Sequence, residues 1–176
     1  MITKEMYTMQ TFLPYSSFEK SLRCLDRQRL GKQRVESFQI LNILTMQTDK
    51  KGWINHPAVL MWKGFEKALK LYYNINLRLW EEKGYKNIRL FPMVIIGKVV
   101  FPDWLGNEDF HASHRSNLLR KNSDHYGKFG WKESPDLPYI WPITKESLGE
   151  KSESETISKS EENKEKGEDS QTMVDK

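Results

Sequence analysis

Cysteine is almost missing from this chain of 176 residues: Cys24 stands alone, so no disulfide can form within it. A lone thiol suits a reducing compartment. Long apolar runs are missing too. The longest, Phe91 to Phe101, is broken by Pro92, Gly97 and Lys98 and falls well short of the roughly 20 residues that span a bilayer. No signal peptide is expected ahead of the domain. The expectation is a soluble intracellular protein with no membrane partner, made by a cell or by a virus inside one. Equally absent are a phosphate-cradling glycine loop, paired cysteines, a Gly-x-Ser-x-Gly elbow and a metalloprotease helix. The common ATPases, zinc fingers and serine hydrolases are thereby excluded, and neither a cofactor nor a metal is expected.

Charge is present, unevenly. The formal net charge of +4 sums two unlike parts: residues 144–176 carry six Lys and ten acidic residues, and residues 1–143 carry twenty-two Lys or Arg against fourteen acidic residues. The larger part is distinctly basic, which favours an anionic partner such as nucleic acid. The Ser/Glu/Lys composition from Thr144 onward cannot build a core and predicts a disordered tail over 144–176. At the other end, residues 1–8 read as an extension. Met9-Gln10-Thr11-Phe12-Leu13-Pro14-Tyr15 reads as a domain start, with Met9 a candidate initiator of a single domain over 9–143.

Apolar spacing predicts helices. Ser17 can cap a first one carrying Phe18, Leu22 and Leu25. Gly31 is expected to interrupt the pattern before a second helix with Val35, Phe38, Leu41 and Leu44 on one face. Asn55-His56-Pro57 opens the longest, closed at Gly84, with Val59, Trp62, Phe65, Leu69, Tyr72 and Leu79 as its buried stripe. Residues 86–106 read either as two short strands around Gly97-Lys98 or as an irregular connection. A last helix is expected over 112–121, with Arg115, Arg120 and Lys121 turned to solvent, and the aromatics of 135–142 form an arm packed on the body.

Three clusters carry candidate chemistry. Arg27, Arg29, Lys32 and Arg34 crowd the entrance to the second helix, where guanidinium groups grip phosphate oxygens without reading sequence. Glu36, at the end of that cluster, is the carboxylate whose presence most needs a reason. The bland reading is a solvated helix face with ion pairs to Asp26 and Glu36. His111-Ala112-Ser113-His114-Arg115 is the second cluster. Its histidines lack partners at metal-ligand spacing, and the more natural reading has one touching phosphate or a sugar and another structural, with His111 and His114 both candidate DNA contacts. His56, beside Pro57, reads as a cap or a packing residue. The third sets Tyr126, Phe129 and Trp131 among Arg120, Lys121 and Lys128, the combination that stacks an unpaired base and holds its backbone. Core packing is the simpler reading for Trp131.

The order of these features resembles the pyrimidine dimer DNA glycosylases of the phage T4 endonuclease V type. It runs from a basic helix ending in Glu36, through His56 and a long helix closing at Lys83-Gly84-Tyr85, to Ala112-Ser113, Arg120 and Tyr126-Gly127-Lys128. The resemblance spans about residues 9–131. It is nearer still to a bacterial and viral branch with the Thr11-Phe12-Leu13-Pro14-Tyr15, Arg29-to-Glu36, Asn55-His56-Pro57-Ala58 and His111-to-Arg115 patterns. It implies a compact all-α single domain, a monomer acting on double-stranded damaged DNA, and a nucleotide turned out of the stack. In the family an N-terminal threonine amine attacks the sugar C1′, a glutamate assists, and β-elimination nicks the strand. Glu36 matches the glutamate, and Arg29, Arg34 and Arg120 match phosphate contacts. The amine falls to Met9, Gln10 or Thr11, an α-amino group of pKa near 8, with Lys32 as a substitute if burial lowers its pKa. DNA repair glycosylase and AP-lyase activity follows from that likeness. The alternatives are a DNA-binding module of the same fold without lyase activity, and a different base- or nucleotide-modifying enzyme.

Overall fold

A computed structural model describes residues 9–48 and 51–143. The expected extension over 1–8 and the expected disordered tail over 144–176 lie outside the described residues. Among the described residues every regular element is a helix: α1 (Phe18–Arg23), α2 (Arg27–Leu44), α3 (Pro57–Leu60), α4 (Glu66–Glu82), α5 (Glu108–Lys121) and α6 (Ser123–Tyr126), with short 3-10 turns at Lys51–Trp53 and Gly127–Phe129. The all-α expectation stands. No described helix is long and apolar enough to cross a membrane.

Local chemistry sets the helix starts. Ser17 accepts from the Lys20 N–H, Asp26 from Arg29, His56 from Ala58 and Asn107 from Phe110, each satisfying a donor that the first turn leaves open. His56 is therefore a cap, one of the two roles read for it. Gly31, by contrast, does not interrupt anything: α2 runs straight through it. A Cβ there would lie 3.0 Å from two ring carbons of Trp80, so glycine lets α2 lie close against α4.

The long helix expected from 57 to 84 is two helices. The chain leaves α3 near Met61 and enters α4 at Glu66, turning at Gly64 with φ +87, a conformation open to glycine and strained for other residues. The expected stripe is nonetheless mostly buried, with Trp62, Leu69, Tyr72 and Leu79 removed from water. Each such side chain contributes about 1.5–3 kcal/mol of transfer free energy. The stripe assigned to α2 is corrected: Val35 is exposed, and the inward face is Leu30, Gln33, Ser37, Ile40 and Leu41. Gln33 and Ser37 are polar but hydrogen-bonded, so apolar spacing alone misplaced the face.

Residues 86–101 are an extended connection with no strand pairing. Side chains hold its backbone along α4. Trp80 donates to Lys86 O (3.0 Å), Tyr73 to Phe91 O (3.0 Å), and Asn74 both donates to Met93 O and accepts from Met93 N (2.8 Å each). The aromatic arm packs as expected: Tyr139 lies against His114 and Trp141 against His56.

Candidate active site

The segment 9–14 is buried, although it has no regular structure. A buried backbone without helix or sheet needs partners for its N–H and C=O groups, and side chains supply them. Gln33 donates to Gln10 O (2.9 Å) and accepts from Phe12 N (2.8 Å); Trp62 donates to Thr11 Oγ1 (3.0 Å). Leu13 N donates to His114 Nδ1 (3.1 Å), Leu13 O meets His111 Nδ1 (2.7 Å), and Pro14 O accepts from Arg115 (2.8 Å). The N-terminal segment is thus strung between α2, the residues after α3, and α5.

These contacts relocate three expected DNA contacts. His111 and His114 are each 2 % exposed and Arg115 is 8 % exposed. His111 is fixed as the tautomer that donates to Leu13, since its Nε2 accepts from Gly106 N (2.9 Å). Burial drives the His114 pKa down to about 3, so its ring is neutral and its Nδ1 remains an acceptor. Arg115 is neutralised by Glu133 (2.6 Å) and Glu108. The helical spacing of this cluster was right, but it faces inward and holds residues 13 and 14. The solvent-facing expectation for Arg115 fails because its partners were far away in sequence.

Glu36 sits where the threaded segment meets α2. It is 5 % exposed and accepts from Gln33 Nε2 (2.7 Å) and from the Gln10 backbone N–H. Lys32 Nζ lies 3.5 Å away, one turn back along the helix. Burial raises the Glu36 pKa to about 7, against the opposing pull of Lys32, the Gln10 N–H and Lys121. A carboxyl group that titrates near neutrality can both give and take a proton. Gln33 is oriented in turn by the Tyr72 hydroxyl, 2.6 Å from its Oε1. Gln33 was not singled out in the sequence, and Tyr72 was read there only as part of a buried stripe. Gln33 is three residues before Glu36, a spacing that puts both on one helix face.

Two hollows meet at Glu36. The larger, about 680 Å³, is lined by Met9, Lys32, Glu36, Phe38, Gln39 and Leu90 among others. The smaller, about 90 Å³, is lined by Gln10, Phe12, Gln28, Arg29, Lys32, Glu36 and Lys121. Arg29, Lys32 and Lys121 thus converge on one polar recess. Burial lowers the Lys121 pKa, as do its cationic neighbours Arg29, Arg120 and Lys32. Gln10 is 2 % exposed, and both its amide nitrogen and its amide oxygen are buried with no hydrogen-bond partner. Gln10 and Glu36 line the same recess.

The remaining expected contacts fall elsewhere. Arg27 lies over Tyr85 (4.8 Å), and Arg34 lies over Trp80 (4.0 Å) with its guanidinium donating to Asn87. Arg120 is tied to Asn117 and to Pro135 O. Lys128 is exposed beside Phe129. Tyr126 is fully buried, stacked on Trp131 with its hydroxyl 2.7 Å from Asp26, so it cannot stack a base; Phe129 is half-buried on the same tryptophan. The aromatics were legible as a cluster but pack on one another.

Residues 9–93 match the family model described as pyrimidine dimer DNA glycosylase. No curated protein and no solved structure matches the chain.

Proposed function

We propose, from the match of residues 9–93 to the pyrimidine dimer DNA glycosylase family model, that the chain is a DNA repair glycosylase with AP-lyase activity on pyrimidine dimer-type damage. The observation that carries the reading is Glu36, a buried carboxyl group of pKa about 7, hydrogen-bonded to the backbone nitrogen next to Met9. The nucleophile is the α-amine of Met9 in a chain that begins there. That nitrogen is one residue from the Glu36 contact, and Met9 and Glu36 line the same large hollow, which has room for a deoxyribose.

The neutral amine attacks C1′, the bond from C1′ to the base breaks, and the base leaves with the electron pair and is protonated. Ring opening gives an imine, loss of a C2′ proton expels the 3′ phosphate, and water frees the enzyme. Glu36 exchanges the protons and balances the positive charge that develops at C1′. Arg29, Lys32 and Lys121 hold the flanking phosphates of double-stranded DNA.

The test is borohydride trapping on a duplex with one abasic site, using chains that start at Met1 and at Met9. The Met9 form is expected to give a covalent complex that peptide mapping places on the Met9 nitrogen. Glu36→Gln should reduce trapping by at least a hundredfold. A Met9 form that binds the duplex yet traps nothing would reduce the protein to a DNA-binding module.

A further inference from the structure

The connection 86–102 pairs rigid backbone with exposed apolar side chains. Ile88, Phe91, Val94 and Ile96 are 74–81 % exposed, although the hydrogen bonds from Tyr73 and Asn74 fix the main chain beneath them. Asn87, steadied by Arg34, also donates to Leu90 O (2.7 Å). Exposed apolar groups on a fixed scaffold mark a surface made to be covered. Lys86, Arg89 and Lys98 fall in this stretch, and no carboxylate does, so the partner that suits it is anionic.

Its position points the same way. Leu90 lines the large hollow at Glu36, and Phe91 is the next residue. The Tyr73 that holds Phe91 O packs against Phe38, another wall of that hollow (centroids 6.0 Å). A duplex lying over the hollow would therefore meet the ring of Phe91 and the adjoining Pro92, side chains of the kind that wedge between base steps.

Resting on the DNA reading above, we propose that Phe91, backed by Pro92 and flanked by Arg89, is an intercalating wedge that enters the stack beside the nucleotide drawn into the Glu36 hollow. The side chain does no chemistry; it fills the gap that extrusion leaves and so favours DNA that is already unstacked.

The experiment measures affinity of the full chain, and of Phe91→Ala and Phe91→Trp, for an undamaged duplex and for one with a tetrahydrofuran abasic site. Phe91→Ala is expected to lose at least tenfold on the abasic duplex and less than threefold on the undamaged one, with the salt slope unchanged. Phe91→Trp should keep the wild-type preference, and the emission of its added tryptophan, taken as the difference from wild type, should be quenched on the abasic duplex. Phe91 is exposed, so neither variant should unfold; equal thermal midpoints check this. Equal losses on both duplexes, or an unquenched Trp, would overturn the wedge while leaving borohydride trapping intact. Concentration-dependent dimers abolished by Phe91→Ala, or binding to anionic lipid vesicles abolished by it, with DNA affinity unmoved, would also overturn it. Failure of trapping in the wild type would instead sink the reaction proposed above.

Discussion

At the scale of single residues, Glu36 concentrates the conflict between stability and use. Its carboxyl pKa is about 7 in the fold against an ordinary 4.5, so the folded chain holds a proton that the unfolded chain has released. Its contribution is intact below pH 4.5 and lost as pH rises through 7, by about 3 kcal/mol at the upper limit. Glu36→Gln should therefore raise the melting temperature at pH 8 while matching wild type at pH 4.5, as thermal scans at both pH values will test. His114 works in the opposite sense, because burial holds its pKa down to about 3. Its contribution is present above pH 6.5 and lost as pH falls toward 3, since the unfolded chain takes up a proton the buried ring refuses. NMR should find the His114 ring still neutral at pH 5; a midpoint near 6.5 would show that water reaches it. The sequence made Glu36 visible because a carboxylate among cations is conspicuous. Arg115 misled for the same reason: its compensating carboxylates, Glu108 and Glu133, come from 7 and 18 residues away.

Among elements, the contact of α2 with α4 decides whether the Glu36 face is presented at all. Gly31 is where they touch, and Trp80 cannot retreat: its Nε1 donates to Lys86 O, Tyr85 packs on one side and the Arg34 guanidinium on another. Gly31→Ala gains about 1 kcal/mol in helix propensity and loses more to overpacking, typically about 1–3 kcal/mol. The expected net result is a melting temperature lower by several degrees, read by circular dichroism; a rise would show that the ring can move aside. This glycine was misread as a break because propensity reports on one helix and packing depends on two. Gly64 went the other way: the apolar period continues across it, so the turn between α3 and α4 was invisible. The starts at Ser17 and His56 were legible because capping is a local matter of two or three residues, whereas those of α2, α4 and α5, at Arg27, Glu66 and Glu108, were missed. The inward face of α2 was not, since Gln33 and Ser37 are buried through bonds that spacing cannot reveal.

For the molecule as a whole, charge is the readable quantity, and it makes a prediction about binding. Each cation that neutralises a phosphate contributes about −0.9 to the slope of log affinity against log salt on duplex DNA. Lys32→Gln and Lys121→Gln should each flatten that slope by about one. Arg115→Gln should leave the slope alone and lower stability instead, because its guanidinium serves Pro14 O and two carboxylates. An equal slope change in all three variants would mean that the basic surface is drawn in the wrong place. The strung-out segment 9–14 has a further consequence, in time. Leu13 bonds to His111 and His114, which the ribosome adds 98 and 101 residues later. At roughly 5–20 residues per second, that interval is on the order of 5–20 s. Until α5 emerges, Leu13 lacks both of these partners and the segment is held through Gln33 and Trp62, so chains stalled before His111 should expose residues 9–14 to a protease that spares the full-length protein.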